Sequence, residues 1–149
     1  MSEHHATIVW QRSSTDYTYE TYNRAHEWRI AGNNVPASAA KDFRGDSTRV
    51  NPEEAYLASL SSCHMLTFLA IAAKRKVPLD SYHDEAVGYL EKNQQGRLAI
   101  TRVSLRPKIV WSTGVSVSST DLDKMHHEAH EGCFIANSVK TEITVEPRA

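Results

Sequence analysis

Strand-like alternation opens the chain, with Ala6, Ile8 and Trp10, then Tyr17, Tyr19 and Thr21, then His26, Trp28 and Ile30 at every second position. A period of two lays one face of a strand against a core, and Ser13-Ser14-Thr15-Asp16 has turn chemistry, so the first thirty residues predict a three-stranded antiparallel meander. Residues 32–50 sustain no period and are rich in Gly, Asn, Pro and Ser, which predicts a long loop of the kind that often builds sites. Asn51 then stands as an N-cap, Pro52 at the first helical position, and Glu53 and Glu54 in the first turn, where carboxylates favour the positive end of the helix dipole. This helix is expected to reach about Lys76, ahead of Pro78. Residues 65–73 are apolar on nearly every face, so the helix should be surrounded by protein rather than lie on a surface.

Residues 82–92 and 98–111 read as two longer strands joined by a hairpin turn at Asn93-Gln94-Gln95-Gly96. Leu98 and Ile100 are out of phase with Val103, Leu105, Ile109 and Trp111, which predicts a bulge or a two-sided strand near Thr101-Arg102. Thr120 is the expected cap of a second helix running through Glu131 and ended by Gly132. Val139, Thr141, Ile143 and Val145 alternate with charged or polar partners as a final half-buried strand. The order βββ-α-ββ-α-β points to an α+β fold, with antiparallel sheets around a long central helix.

Composition narrows the function classes. At 149 residues and 40% hydrophobic content the chain suffices for one domain, 1–149, with a real core. Seventeen basic against eighteen acidic residues leave a net charge of -1, and no basic run exceeds Lys74-Arg75-Lys76, which excludes a nucleic-acid footprint. The first residues show no basic segment followed by an apolar one, and residues 65–73 fall short of the roughly 20 needed to cross a bilayer, so a cytoplasmic protein with no membrane partner is expected. In that reducing compartment a disulfide between the only two cysteines, Cys63 and Cys133, would be transient and catalytic rather than structural.

Both thiols lie beside polar residues at helical segments, which suits redox or nucleophilic chemistry better than core filling. Cys63 is ten residues beyond Glu53, about 15 Å along the axis at ~1.5 Å per residue, too far for the helix dipole to ionise it. A cation must come from elsewhere, and Arg44 and Arg49 in the preceding loop are the candidates, with Glu53 able to hold either guanidinium in a bidentate pair. Glu53 and Cys63 on one straight helix cannot both touch a small substrate, so a second subunit facing loop and helix start to Cys63 would assemble the site and cover the apolar helix. His64, His130 and Glu131 flank the thiols as further candidates.

The segment Asn51-Pro52-Glu53-Glu54 with Cys63 ten residues after Glu53, and the segment Ala129-His130-Glu131-Gly132-Cys133-Phe134-Ile135-Ala136-Asn137-Ser138-Val139-Lys140, resemble the two signature regions of the OsmC/Ohr family (osmotically inducible protein C, organic hydroperoxide resistance) of thiol peroxidases. The resemblance implies an intertwined homodimer with two interfacial sites that reduces organic hydroperoxides with no metal, haem or other cofactor. It makes Cys63 the peroxidatic thiolate, Cys133 the resolving thiol, and a lipoyl-type dithiol the reductant. It gives Glu53 the task of positioning an arginine that steadies the thiolate and the departing alkoxide. The chain departs from the pattern at that arginine: in the osmotically induced branch it stands where this sequence has Phe43, so Arg44 is one step off and Arg49 is its rival. His64 and the cluster His126, His127 and His130 make the site less apolar than an organic-peroxide pocket should be.

Two other readings stay open on the residues themselves. A non-catalytic dimer of this fold would sense oxidants or bind a ligand through the same thiols. A metal module would use Cys63, Cys133 and histidines: His126 and His130 share a helix face, although His127-Glu128-Ala129-His130 spaces its histidines by three where the metalloprotease pattern needs four. Trp10, Trp28 and Trp111 read as core or interface residues.

Overall fold

Asn51 starts the long helix in the way its chemistry predicts. In the computed structural model, which describes residues 1–149, Asn51 Oδ1 accepts from the Glu54 N–H at 2.9 Å and Glu54 Oε2 accepts from the Asn51 N–H at 3.1 Å. Two orphan donors of the first turn are thus satisfied reciprocally. Helix α1 spans Pro52–Lys74. Lys76 then takes a left-handed φ of 58°, and the bonds Lys76 N–H to Ala73 O and Val77 N–H to Ala72 O close the helix as a Schellman motif just before Pro78.

Contacts divide the chain into two compact units, Met1–Ala55 and Tyr56–Ala149. The first holds an antiparallel sheet in the order β1 (Thr7–Val9), β2 (His26–Ile30), β3 (Asn33–Ala37), with Ile8 opposite Trp28 and Trp28 opposite Val35. Three antiparallel strands form as expected, but the third is not the one the alternation predicts. Residues around Tyr17–Thr21 form a turn instead, because Thr18 and Thr21 bond each other's backbone and hydroxyl groups and so compete with a ladder. β3 lies inside the predicted loop: Ala31 (φ 50°) and Gly32 (φ 78°) form a two-residue hairpin turn with both φ values positive. After β3 a short 3-10 turn at Lys41–Phe43 leads to Val50, which returns to the sheet through the pair Val50 N–H to Pro36 O and Ser38 N–H to Val50 O.

In the second unit the two long strands expected are four. β4 (Leu79–Asp84) pairs with β7 (Pro107–Trp111), and β5 (Val87–Lys92) pairs with β6 (Leu98–Leu105), both antiparallel. The strands change sheets at a corner that Asp84 holds by accepting the Arg106 N–H at 2.6 Å. Opposite Tyr89 and Leu90 the register jumps from Arg102 to Ile100, so Thr101 is the bulged residue, where the phase change along the chain placed it. Helix α2 spans Ser119–Gly132, and its cap is Ser118, two residues ahead of the expected Thr120: Ser118 Oγ accepts from the Asp121 N–H at 3.1 Å. Strand β8 (Glu142–Val145) joins β6 in parallel, because α2 intervenes and carries the chain back to the same end of the sheet.

Two apolar clusters form the core of this unit. Phe68 and Ala72 of α1 meet Met125 and Ala129 of α2, walled by Tyr82, Ile109 and Trp111. Leu60 of α1 meets Val103 and Leu105 of β6, walled by Ile135, Val139 and Ile143. These contacts bury one stripe of α1, Leu60, His64, Phe68 and Ala72, at the four-residue spacing of a helix face. The opposite stripe, Ser62, Leu66 and Ala70, is exposed, Leu66 by 60%. A single chain therefore does not surround its central helix as the apolar run predicts. By length and composition α1 also passes for a membrane span, contrary to the count over residues 65–73 alone, since its serines, threonine and histidine interrupt the apolar run without adding charge.

Candidate active site

Cys63 sits on α1 between the buried and exposed stripes and is partly accessible. Its carbonyl accepts a bond from Thr67 Oγ1 at 2.9 Å, one turn on. Cys133 caps the C-terminus of α2 and is 1% exposed. Its N–H reaches His130 O at 3.3 Å, and its Sγ accepts from the Ala136 N–H at 3.4 Å. Both thiols are free, and although seventy positions separate them Cys63 lies near enough to Cys133 to perturb its titration.

The Phe68, Ala72, Met125 and Ala129 contact between the two helices makes this meeting possible. At the end of α2 next to Cys133, Gly132 lies so close to α1 that an added Cβ would stand 3.0 Å from the Thr67 methyl. Burial pushes the Cys133 thiol above its ordinary pKa, and the neighbouring Cys63 adds to this; the N–H groups of Ala136 and Ile135 oppose it. Cys133 therefore stays protonated near neutral pH, while the more accessible Cys63 is open to small molecules. A pair of free, neighbouring thiols is suited to two-electron disulfide chemistry once the sulfurs close to bonding distance.

His64, next to Cys63 in the chain, points to the other side of α1 and is 1% exposed. Its ring stacks on that of His126 with centroids 5.4 Å apart, and His64 Nε2 and His126 Nδ1 share a hydrogen bond of 3.1 Å. His126 also stacks on Phe68 at 4.5 Å. Burial, then repulsion from His126 and His130, lower the His64 pKa to about 4 against an opposing pull from Asp84, and burial alone lowers His126 to about 4. Both rings are neutral at pH 7. The remaining nitrogens His64 Nδ1 and His126 Nε2, and Nδ1 of His130, are buried without partners. The side chain of Glu131 lies on the surface, 3.3 Å from His127. No three His, Cys, Asp or Glu side chains converge as a ligand set.

Glu53, in the first turn of α1, carries one buried carboxylate oxygen with no partner. It forms no ion pair with Arg44 or Arg49. Arg49 is engaged by Asp46 at 3.7 Å and by His26 O at 3.3 Å. Arg44, in the left-handed conformation at φ 62°, places its guanidinium 5.9 Å over the Tyr19 ring.

Ser61 and Asp84 belong to the same neighbourhood and carry no signal in the sequence. Ser61 Oγ donates to Asp84 Oδ2, tying α1 two residues before Cys63 to the corner between β4 and β5. Gly132 is legible as a helix terminator, whereas its role in close helix approach depends on a neighbour sixty-five positions away.

A family model described as OsmC-like protein matches residues 45–148. Among solved structures, an OsmC-like protein of unknown function from Vibrio cholerae is 47% identical over 99% of this chain and 100% of its own, with a TM-score of 0.95. The organic hydroperoxide resistance protein OhrB of Bacillus subtilis is 15% identical over 97% of this chain and 98% of its own, with a TM-score of 0.68. An organic hydroperoxide resistance protein from Legionella pneumophila is 15% identical over 99% of this chain and 97% of its own, with a TM-score of 0.69. No curated protein sequence matches the chain significantly.

Proposed function

The chain belongs to the OsmC-like family, and on that footing we propose that it is a cytoplasmic cysteine-based peroxidase that reduces organic hydroperoxides to alcohols. The proximity of Cys63 to Cys133 carries the reading. The Cys63 thiolate attacks the terminal oxygen of ROOH; an S–O bond forms as the O–O bond breaks, and the alkoxide leaves with a proton as ROH. Cys133 then attacks the sulfenic acid, its proton departs with the hydroxyl as water, and a Cys63–Cys133 disulfide results. A dithiol of the lipoyl type supplies two electrons and two protons to reopen it and is itself oxidised to a disulfide. The raised pKa of Cys133 supports this division of labour, because the second thiol waits protonated beside the first.

Arg44 and Glu53 are the proposed thiolate-positioning pair. Arg44 is preferred because Arg49 is already held by Asp46 and His26 O, and the unpartnered oxygen of Glu53 is a free acceptor for a guanidinium. The active species is an intertwined homodimer in which the helix start and loop of one chain face Cys63 of the other. The exposed Ser62, Leu66 and Ala70 stripe supports it, since an apolar helix face left to water is costly.

The test is consumption of cumene hydroperoxide with dithiothreitol. Wild type is expected to turn over and C63S to be inactive; with dithiothreitol left out, C133S is expected to consume one equivalent and leave Cys63 as sulfenic acid where wild type forms the disulfide. Absence of turnover by folded wild type overturns the reading.

A further inference from the structure

Cys133 is followed by a turn that folds back onto its own sulfur. The Asn137 N–H bonds Cys133 O at 3.0 Å, and the Ser138 N–H bonds Ile135 O at 3.0 Å. Side chains brace the same segment: Asn137 Nδ2 donates to Glu131 O at 2.9 Å, and Ser138 Oγ donates to Phe134 O at 2.8 Å. Ile135 and Ala136 pack against the Leu60, Val103 and Leu105 cluster. So held, the turn sets the Ala136 N–H on Cys133 Sγ at 3.4 Å.

This makes the two sulfurs of a Cys63–Cys133 disulfide unequal toward a reductant. A thiolate opens a disulfide by approaching one sulfur in line with the S–S bond, while the other sulfur leaves with the electron pair. Cys133 is 1% exposed within its own chain, and a partner chain can only bury it further. Cys63 has to be reachable by the hydroperoxide it reduces, and the same path admits a small thiol. The sulfur that leaves when Cys63 is attacked meets the Ala136 N–H, a bond that strengthens as charge gathers on Sγ and so favours the transition state over the intact disulfide. Burial works in the other direction, since it raises the Cys133 pKa and a more basic thiolate leaves more slowly. Access outweighs that effect: slow departure lowers a rate, whereas in-line attack on an enclosed sulfur requires the turn to open first.

We propose that the disulfide is reduced in one direction, the dithiol bonding to Cys63 and Cys133 leaving onto the Ala136 N–H, with Asn137 as the positioning residue that keeps the turn closed. This rests on the peroxidase reading and adds to it which sulfur the reductant attacks and what receives the other. In the first step a reductant thiolate forms a bond to Cys63 Sγ as the Cys63–Cys133 bond breaks, and Cys133 takes up a proton. The second thiol of the reductant, having lost its proton, then attacks the reductant sulfur of the mixed disulfide. Cys63 leaves as the thiolate, and the dithiol departs as its cyclic disulfide.

The experiment oxidises the full-length protein with diamide in place of peroxide, so that its outcome is independent of peroxidase turnover. A limiting pulse of 2-mercaptoethanol is followed at once by N-ethylmaleimide, and peptide mass spectrometry reads which cysteine carries which group. Mercaptoethanol on Cys63 with maleimide on Cys133 is expected to exceed the opposite labelling by about tenfold or more, the ratio that a difference of about 1.4 kcal/mol between the two routes gives. Asn137→Asp keeps the shape of the side chain but loses the N–H given to Glu131 O, and is expected to raise the share of mercaptoethanol on Cys133 several-fold. Should Asn137→Asp not fold, Ser138→Ala, which drops the bond to Phe134 O, takes its place with the same expected shift. Equal labelling of the two cysteines in wild type, or mercaptoethanol chiefly on Cys133, would overturn the direction. An unchanged share in the variant would overturn the role of the braced turn, and failure of folded protein to form the disulfide with diamide would overturn the premise shared with the peroxidase reading. A protein that labels as expected but consumes no hydroperoxide keeps the direction and loses only the peroxidase reading.

Discussion

Acidification should cost this fold stability through the buried pair His64 and His126. Each ring has its pKa lowered from the ordinary 6.5 to about 4. The unfolded chain therefore binds protons between pH 6.5 and 4 that the folded chain refuses, so the stability these rings contribute is complete above pH 6.5 and declines as pH falls through that window. At about 1.4 kcal/mol per pH unit, a shift from 6.5 to about 4 amounts to about 3 kcal/mol per ring when fully developed, and about 2 kcal/mol by pH 5. Both rings are nearly inaccessible, so water does not screen the effect. The pair together loses less than twice the single value, because their mutual repulsion is part of the His64 shift. Urea unfolding at pH 7.5 and pH 5.0, at one protein concentration so that any assembly equilibrium is held fixed, measures the loss. In H64Q/H126Q the carboxylates titrate as before and the histidine part disappears, so the wild type should lose roughly 2–4 kcal/mol more than the variant over this interval. Equal losses in the two proteins would refute the assignment of acid sensitivity to these rings.

The remaining predictions concern backbone positions that hold the site. Ala31→Asn, which puts a residue tolerant of positive φ into the hairpin turn before Gly32, should raise stability by about 1 kcal/mol in thermal unfolding. Gly45→Ala would set a Cβ 1.6 Å from Ala39 O, so the turn carrying Arg44 must rearrange; a loss of roughly 2 kcal/mol or more is expected, and a neutral result would contradict this packing. Gly132→Val should push the end of α2 away from Thr67, at a cost of roughly 1–3 kcal/mol. In that variant the yield of the Cys63–Cys133 disulfide after one equivalent of peroxide, read by mass spectrometry, should fall while alkylation of Cys63 persists.

What could be read along the chain was local. The Asn51, Pro52 and Glu54 start of α1 is settled by side chains three residues apart, and the Thr101 bulge announces itself as a change of phase within one strand. Where local signals competed, the reading failed: the threonines at 18 and 21 bond each other rather than a neighbouring strand, and an alanine stands where a hairpin turn usually shows asparagine. The bend at Asp84 was illegible because the Arg106 N–H that fixes it arrives from the junction of β6 and β7, more than twenty positions on.

The site divides in the same way. Two scarce thiols in helical surroundings, with Glu53 ten residues before the first, were visible as residue types and spacings, and so was the family they resemble. That Cys63 comes near Cys133, that His64 turns away from the thiol to stack on His126, and that Leu66 is left facing water are decided by how α1 packs on α2 and β6. Spacing along a helix determines which side chains share a face, but only the partner that covers a face determines which group is desolvated, and desolvation sets the charge states on which this chemistry depends.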